Sequence, residues 1–188
     1  MAGGASAQFA LVPMNLLDET QSAAYTDTGT WASKAIKDGK LYGKVDVIAS
    51  SKDKNYSYIP KGYVVDPSYR YLHITTNNTI FGTQYKKLPD TEVPLVADMS
   101  SDIFSREFDI NRFDLIYAGA QKNMGPAGTT LVVVRKSALG KVSRQLPAML
   151  KYENHIEAGS MYNTPPVFAV YTSMLTLRWV KKMGGVAS

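Results

Sequence analysis

Lys122 is the residue in this sequence whose surroundings best suit covalent chemistry. It stands in Ala118-Gly119-Ala120-Gln121-Lys122-Asn123-Met124-Gly125-Pro126-Ala127-Gly128, just after the apolar run 115–118 and just before a second apolar run, 129–134. Tiny neighbours leave room for a bulky partner, and the flanking runs predict burial. Burial disfavours an ammonium ion and favours the neutral amine, which is the nucleophile that attacks an aldehyde to give a Schiff base. For an arbitrary lysine the competing reading is a solvated surface group, and only the small neighbours and apolar flanks separate this one from it. The segment is not a P-loop, because no Gly-Lys-Ser/Thr follows a glycine at the required spacing.

Three more polar segments sit where predicted strands give way to loops, the place where open α/β sheets bind ligands. Gly3-Gly4-Ala5-Ser6 opens a helix-like stretch, and small residues there leave backbone N–H groups free to hold an anion. The alternative is a glycine-rich helix start with no ligand. Thr75-Thr76-Asn77-Asn78-Thr79 clusters short hydrogen-bonding side chains, which also suit an ordinary turn. Asp98 ends the apolar run 95–97. A carboxylate there either caps the following turn or pairs with a cation, such as a protonated ring nitrogen. An anion-holding helix start, a strand-end acid and a strand-end lysine together match pyridoxal phosphate, which needs them for its phosphate, its pyridine nitrogen and its aldehyde.

These residues need elements to carry them. Short β-branched runs alternate with amphipathic stretches, a pattern that predicts an α/β domain with a largely parallel sheet. The predicted strands are 45–49, 71–75, 95–97, 115–118 and 129–134. Runs 115–117 and 131–134 are apolar on both faces, as expected of strands covered on either side. Predicted helices are 7–17, then 31–42 with Thr30 as N-cap and Gly43 as its end, then 166–183. The last begins at Pro166 and carries an apolar stripe of Val167, Val170, Tyr171 and Met174 that continues through Leu175 or Leu177. Residues 51–68, rich in Tyr and Lys with two prolines, read as a surface excursion or, less simply, as a linker.

Composition narrows the function. With 188 residues and 45% hydrophobic content the chain can bury one sizeable core. It has no cysteine and only two histidines, His73 and His155, which argues against disulfides, thiolate nucleophiles and a multi-histidine metal site. The net charge of +5 suits an anionic metabolite, but the basic residues are scattered without the clustering of a nucleic-acid binder. No run is long enough to span a bilayer, and the first six residues do not resemble a secretory leader. The expectation is a soluble, cytoplasmic protein without metal, nucleic-acid or membrane partners.

The run from Ile116 to Gly128 resembles the lysine segment of the phosphoserine aminotransferases, a class V, fold-type I family of pyridoxal-phosphate enzymes. So do Gln8-Phe9 with Val12-Pro13-Met14-Asn15-Leu16, Thr28-Gly29-Thr30-Trp31, Asn78-Thr79-Ile80, and Gly159-Ser160-Met161-Tyr162-Asn163-Thr164-Pro165-Pro166. The similarity stays collinear over residues 3–185. It implies the central, cofactor-binding large domain of the family, an α/β unit over residues 1–188 with a mostly parallel mixed sheet and helices on both faces, taken from a longer protein.

The resemblance also implies roles. Lys122 would carry the cofactor and then shuttle the proton of the amino-transfer step; Asp98 would keep the pyridine nitrogen protonated. Trp31 would stack on the ring and Thr79 would bond near the ring oxygen or the phosphate. Ala5, Ser6 and Gln121 would hold the phosphate within one subunit, and Asn163 and Thr164 would reach the neighbouring subunit's cofactor, which implies a homodimer with shared sites. The implied reaction is amino transfer between O-phosphoserine with 2-oxoglutarate and 3-phosphohydroxypyruvate with glutamate, in serine biosynthesis. At Ser6 some family members have an arginine that reads the substrate's phosphate, a charge serine cannot supply. Three alternatives stand beside this reading. One is another class V aminotransferase of the alanine–glyoxylate type, where histidine usually replaces the tryptophan. The others are a folded but catalytically silent piece, and a nucleotide-binding domain using residues 3–6 or 125–129.

Overall fold

A computed structural model describes residues 1–187. Helix α1 (Gly4–Leu16) leads into strand β1 (Ser22–Asp27), helix α2 (Thr30–Gly39) and strand β2 (Lys44–Ser50). Strand β3 (Leu72–Thr75) follows, then the short pair β4 (Asn77–Asn78) and β5 (Thr83–Gln84). Strands β6 (Leu95–Asp98), β7 (Leu115–Gly119) and β8 (Thr130–Val134) complete the main sheet, before helices α3 (Tyr152–Glu157) and α4 (Val167–Lys182).

The sheet runs β2-β1-β3-β6-β7-β8. All its neighbours are parallel except β8, which lies antiparallel to β7. The chain therefore leaves β1 toward one edge through α2 and β2, then returns to build outward on the other side. This reversal between β1 and β3 opens a crevice at the carboxyl ends of the parallel strands. In register, Thr75 pairs with Asp98, Asp98 with Tyr117, and Gly119 with Thr130, so the strand ends finish nearly level.

The sheet's two faces differ in chemistry. One buries Tyr25, Val96, Leu115 and Tyr117 against Phe9 and Val12 of α1, Ala35 and Ile36 of α2, and Tyr152 of α3. Its aromatic groups bond to one another, while His73 Nδ1 is left without a hydrogen-bond partner among the described residues. His73 Nε2 and the Tyr117 hydroxyl lie 2.9 Å apart, Tyr25 stacks on His73 at 4.7 Å, and the Tyr25 and Tyr71 hydroxyls share a 2.7 Å bond. Burial pushes the His73 imidazole down to about 3, so it is neutral at ordinary pH. The opposite face is aliphatic, with Leu72, Ile74, Ala97, Ile116 and Ala118 packed against Met99, Ile103 and Met124. Each of the larger side chains here, Leu72, Ile74 and Ile116, contributes roughly 1.5–3 kcal/mol by its burial. Surface turns carrying Ile59, Tyr63, Val65 and Leu88 close this face, so helical cover is concentrated on the first.

Several expectations need correction. Strand β1 was not expected, because Ser-Ala-Ala-Tyr-Thr-Asp has few β-branched residues; it is a strand because it is buried between β2 and β3, where packing overrides propensity. Strand β7 is buried throughout, as expected, but β8 is an edge strand with only Thr130 buried. Helix α2 is capped by Gly29 rather than Thr30 and gives way to turns after Gly39. The apolar stripe of α4 is largely open: only Ala169 and Ser173 are buried, while Val167, Phe168 and Trp179 are 68%, 76% and 62% exposed. Residues 51–68 do run over the surface, around a short 3-10 turn at Lys52–Lys54.

Candidate active site

Four loops converge where the parallel strands end. After β1, residues 28–31 turn into α2 and place Trp31 in its first turn. The turn is tied down from both sides. Ser33 and Tyr56 donate to the two oxygens of Asp27 at 2.6 and 3.3 Å, and the Thr28 hydroxyl donates to Asn78 Oδ1 at 3.1 Å. Gly29 is needed at the crossing, since a Cβ there would lie 2.9 Å from Asn78 Oδ1. Asn78 in turn donates to the Thr83 hydroxyl at 3.1 Å, fixing the β4–β5 turn that carries Thr79.

After β3, Thr76 bonds across to the end of β6. Its backbone N–H and hydroxyl both reach Asp98 O, and the hydroxyl also lies 2.5 Å from Asp102 Oδ1. After β7, Lys122 Nζ donates to Thr79 Oγ1 at 2.7 Å and lies 5.7 Å from the centre of the Trp31 ring. Lys122, Thr79 and Trp31 thus meet, although 43 residues separate the first two. The expected burial of Lys122 is not met: the side chain is exposed at the open mouth of the crevice. The loop leaves the sheet at Gly119, so the apolar strands flank it in sequence without covering it.

Asp98 is the buried charge of the site, at 5% exposure. Its Oδ1 accepts from both the backbone N–H (2.9 Å) and the hydroxyl (2.6 Å) of Ser100. Burial raises its carboxyl above the ordinary carboxylate range, opposed by the Ser100 donors and the positive charge of Lys122, while Asp102 adds to the rise. Among the described residues no cation lies within ion-pair distance of it. A buried carboxylate in this state is a costly arrangement that an external cationic group would relieve.

The fourth loop is the start of α1. Gly3 caps it without a side-chain bond, and no acidic residue occupies the first turn, so its leading N–H groups keep their partial positive charge. This helix start lies beside the end of β7: a Cβ on Gly119 would come within 2.7 Å of Gln121 Oε1 and 3.3 Å of Ala5 N. Ala5 and Gln121 therefore border one small cradle, with the exposed Ser6 following in the same turn. Free helix N–H groups, a glycine-lined cradle, an uncompensated acid and an amine fit the phosphate, ring nitrogen and aldehyde of the cofactor the sequence implies.

Asn163 and Thr164 stand apart. Among the described residues, Asn163 donates only to the neighbouring Thr164 carbonyl, and it lines a separate groove between β8 and α4 with Thr129, Pro166 and Met174. The sequence offers Asn78 within a turn-like cluster and within the Asn78-Thr79-Ile80 resemblance, whereas the hydroxyl of Ser100, two residues after the strand-end acid, is a group that sequence reasoning misses. A short polar side chain two positions after an acid at a strand end is a usable signal for the latter. Among the described residues no His, Asp or Glu cluster could hold a metal ion, and no helix is long and apolar enough to cross a membrane.

Comparison with known proteins agrees with this fold. The aminotransferase class-V family model matches residues 1–188. The chain is 61% identical over 188 residues to a phosphoserine aminotransferase of Flavobacterium psychrophilum, covering 100% of this chain and 53% of that protein. It is 56% identical to one of Porphyromonas gingivalis, covering 99% of this chain and 52% of that protein. Among solved structures, the phosphoserine aminotransferase of Bacillus circulans subsp. alkalophilus superposes with a TM-score of 0.95 at 49% identity, over 100% of this chain and 53% of its own. The pyridoxal-phosphate-bound phosphoserine aminotransferase of Trichomonas vaginalis gives 0.91 at 33% identity, over 99% and 53%. An aspartate aminotransferase of Thermus thermophilus, at 16% identity and a TM-score of 0.76, shares the fold. The chain spans about half the length of the curated relatives it matches.

Proposed function

Since the chain belongs to the class V aminotransferase family, we propose that it forms the cofactor-binding large domain of an enzyme that moves an amino group between O-phosphoserine and 2-oxoglutarate in serine biosynthesis. The observation that carries this reading is the meeting of Lys122, Thr79 and Trp31 beside the buried Asp98. Similarity to phosphoserine aminotransferases of the named organisms supports the choice of substrate, and Trp31 in place of histidine supports that branch over other class V enzymes.

Pyridoxal phosphate, when bound, supplies an electron sink for the charge left when the substrate's α-proton departs. The residues of this chain do the rest. Lys122 Nζ would hold the cofactor's aldehyde carbon and, once displaced by the amino substrate, carry the proton at Nζ. The Thr79 hydroxyl, already 2.7 Å from Nζ, would orient that amine. Asp98 would hold a proton on the ring nitrogen, its own carboxylate stabilised by the positive charge gained. Trp31 would support one ring face, and Ala5, Ser6 and Gln121 would bind the phosphate at the start of α1.

Asn163 and Thr164 would act on a second subunit's site in a cytoplasmic homodimer. Their place outside the Lys122 crevice and the open apolar side of α4 support that assignment. The test is an intact mass after addition of pyridoxal phosphate and borohydride reduction. A single phosphopyridoxyl adduct, lost in Lys122→Ala, is the expected result; an adduct of equal yield in the variant would sink the lysine assignment.

A further inference from the structure

The parallel ladder between β6 and β7 ends at the Asp98–Tyr117 pair, with Met99 N–H donating to Tyr117 O at 2.9 Å. Tyr117 and Gly119 lie two residues apart and so direct their backbone groups to the same side, toward β6. Gly119 N–H is thus the next donor in line, and no β6 carbonyl remains to receive it. Ser100 Oγ accepts it instead, at 3.1 Å. The same hydroxyl donates to Asp98 Oδ1 at 2.6 Å.

This arrangement has a direction. A hydroxyl has one proton, and with Gly119 N–H occupying a lone pair, that proton is committed to Asp98. Oδ1 is thereby filled by two donors from Ser100, and among the described residues Oδ2 receives no hydrogen bond. A carboxylate held in this way cannot rotate to exchange its oxygens without breaking both bonds. A simple turn cap would need only the Ser100 N–H, and it would not require the carboxylate to be buried.

We propose that Ser100 is a positioning residue that locks Asp98 with Oδ2 facing the crevice and ties it to Gly119, the residue from which the Lys122 segment departs. Acid and amine are then set relative to each other by one side chain at the end of the ladder. The proposal rests on the assignment of Asp98 and Lys122 to pyridoxal phosphate made above.

The experiment compares the protein with Ser100→Ala and Ser100→Thr, each loaded with pyridoxal phosphate labelled with nitrogen-15 in the ring. It reads the ring-nitrogen chemical shift, the cofactor dissociation constant and the melting temperature of the cofactor-free form. Ser100→Ala should move the ring nitrogen toward the unprotonated shift and weaken cofactor binding about tenfold, the typical effect of losing a hydrogen bond to a charged group. Ser100→Thr, which keeps the hydroxyl, should restore both; if Ser100→Ala does not fold, Ser100→Cys should shift the signal the same way through its weaker donor. An unchanged ring-nitrogen shift in the variant overturns the proposal, including where binding weakens only in step with the melting temperature. Failure of the unsubstituted protein to take up cofactor at Lys122 would instead overturn the functional reading.

Discussion

The crevice at the strand ends and the C-terminal stretch around α4 are built on opposite terms. In the crevice, polar groups are tied to partners from a different strand or loop: Thr28 with Asn78, Thr76 with Asp98 and Asp102, Ser100 with Gly119, Lys122 with Thr79. Around α4, Asn163 bonds among the described residues to its neighbour alone, and Val167, Phe168 and Trp179 are exposed. Residues of the first region are placed by this chain's own register. Those of the second are held to the described fold along one side only, where Ala169 and Ser173 pack beside Gly128 and Gly125, and the apolar side chains of the other side are left open, as the proposed dimer would require.

The contrast can be broken or sharpened by substitution. The largest effect is expected at Lys122: Lys122→Ala should abolish the reducible cofactor adduct altogether, as read by mass. Next is Asp98→Asn, which should lower turnover by roughly 100-fold through loss of a charged hydrogen bond to the ring. Because burial raises the Asp98 carboxyl, the ionised form weakens the fold at any pH above its ordinary value. The same variant should therefore melt no lower than the parent when cofactor-free. A marked fall in its melting temperature would show that the acid serves the fold and not the site.

The layer beneath the crevice gives an acid-dependent prediction. His73 is held neutral with its value lowered to about 3 by burial, so the unfolded chain takes up the proton first. Stability should be unaffected above about pH 6.5 and fall as the pH drops below it, by about 2 kcal/mol at pH 5. Urea titrations of His73→Gln should show a flatter decline over that window; an identical slope would mean the histidine is not buried as described. An effect of similar size is expected at Gly29, where Ala should press on Asn78 Oδ1 and cost about 1–3 kcal/mol of stability.

The smallest effect belongs to the other region. Phe168→Glu, at a position 76% exposed, should change the stability of the isolated fold by no more than about 0.5 kcal/mol. It should nevertheless reduce self-association, measured by light scattering or sedimentation. If the mass in solution is untouched while the fold is destabilised, the open face is packed within one chain and the contrast fails.

The inventory of chemistry was legible in the sequence, since a lysine among tiny residues, an acid ending an apolar run and a glycine-rich helix start are local patterns. Five of the six strands of the main sheet and the three longer helices followed from periodicity for the same reason. What the tertiary structure decided is everything that depends on register between distant segments. Strand β1 exists because its neighbours bury it, against its own propensity. Lys122 is exposed because its loop leaves the sheet at Gly119, and α4 is open because an apolar stripe states a need for cover without naming what supplies it. The Ser100 hydroxyl became part of the site only when the β6–β7 ladder ended one donor too soon, a fact fixed by the pairing of Asp98 with Tyr117. Residue type and spacing set what each group can do; the alignment of strand ends decides which groups meet.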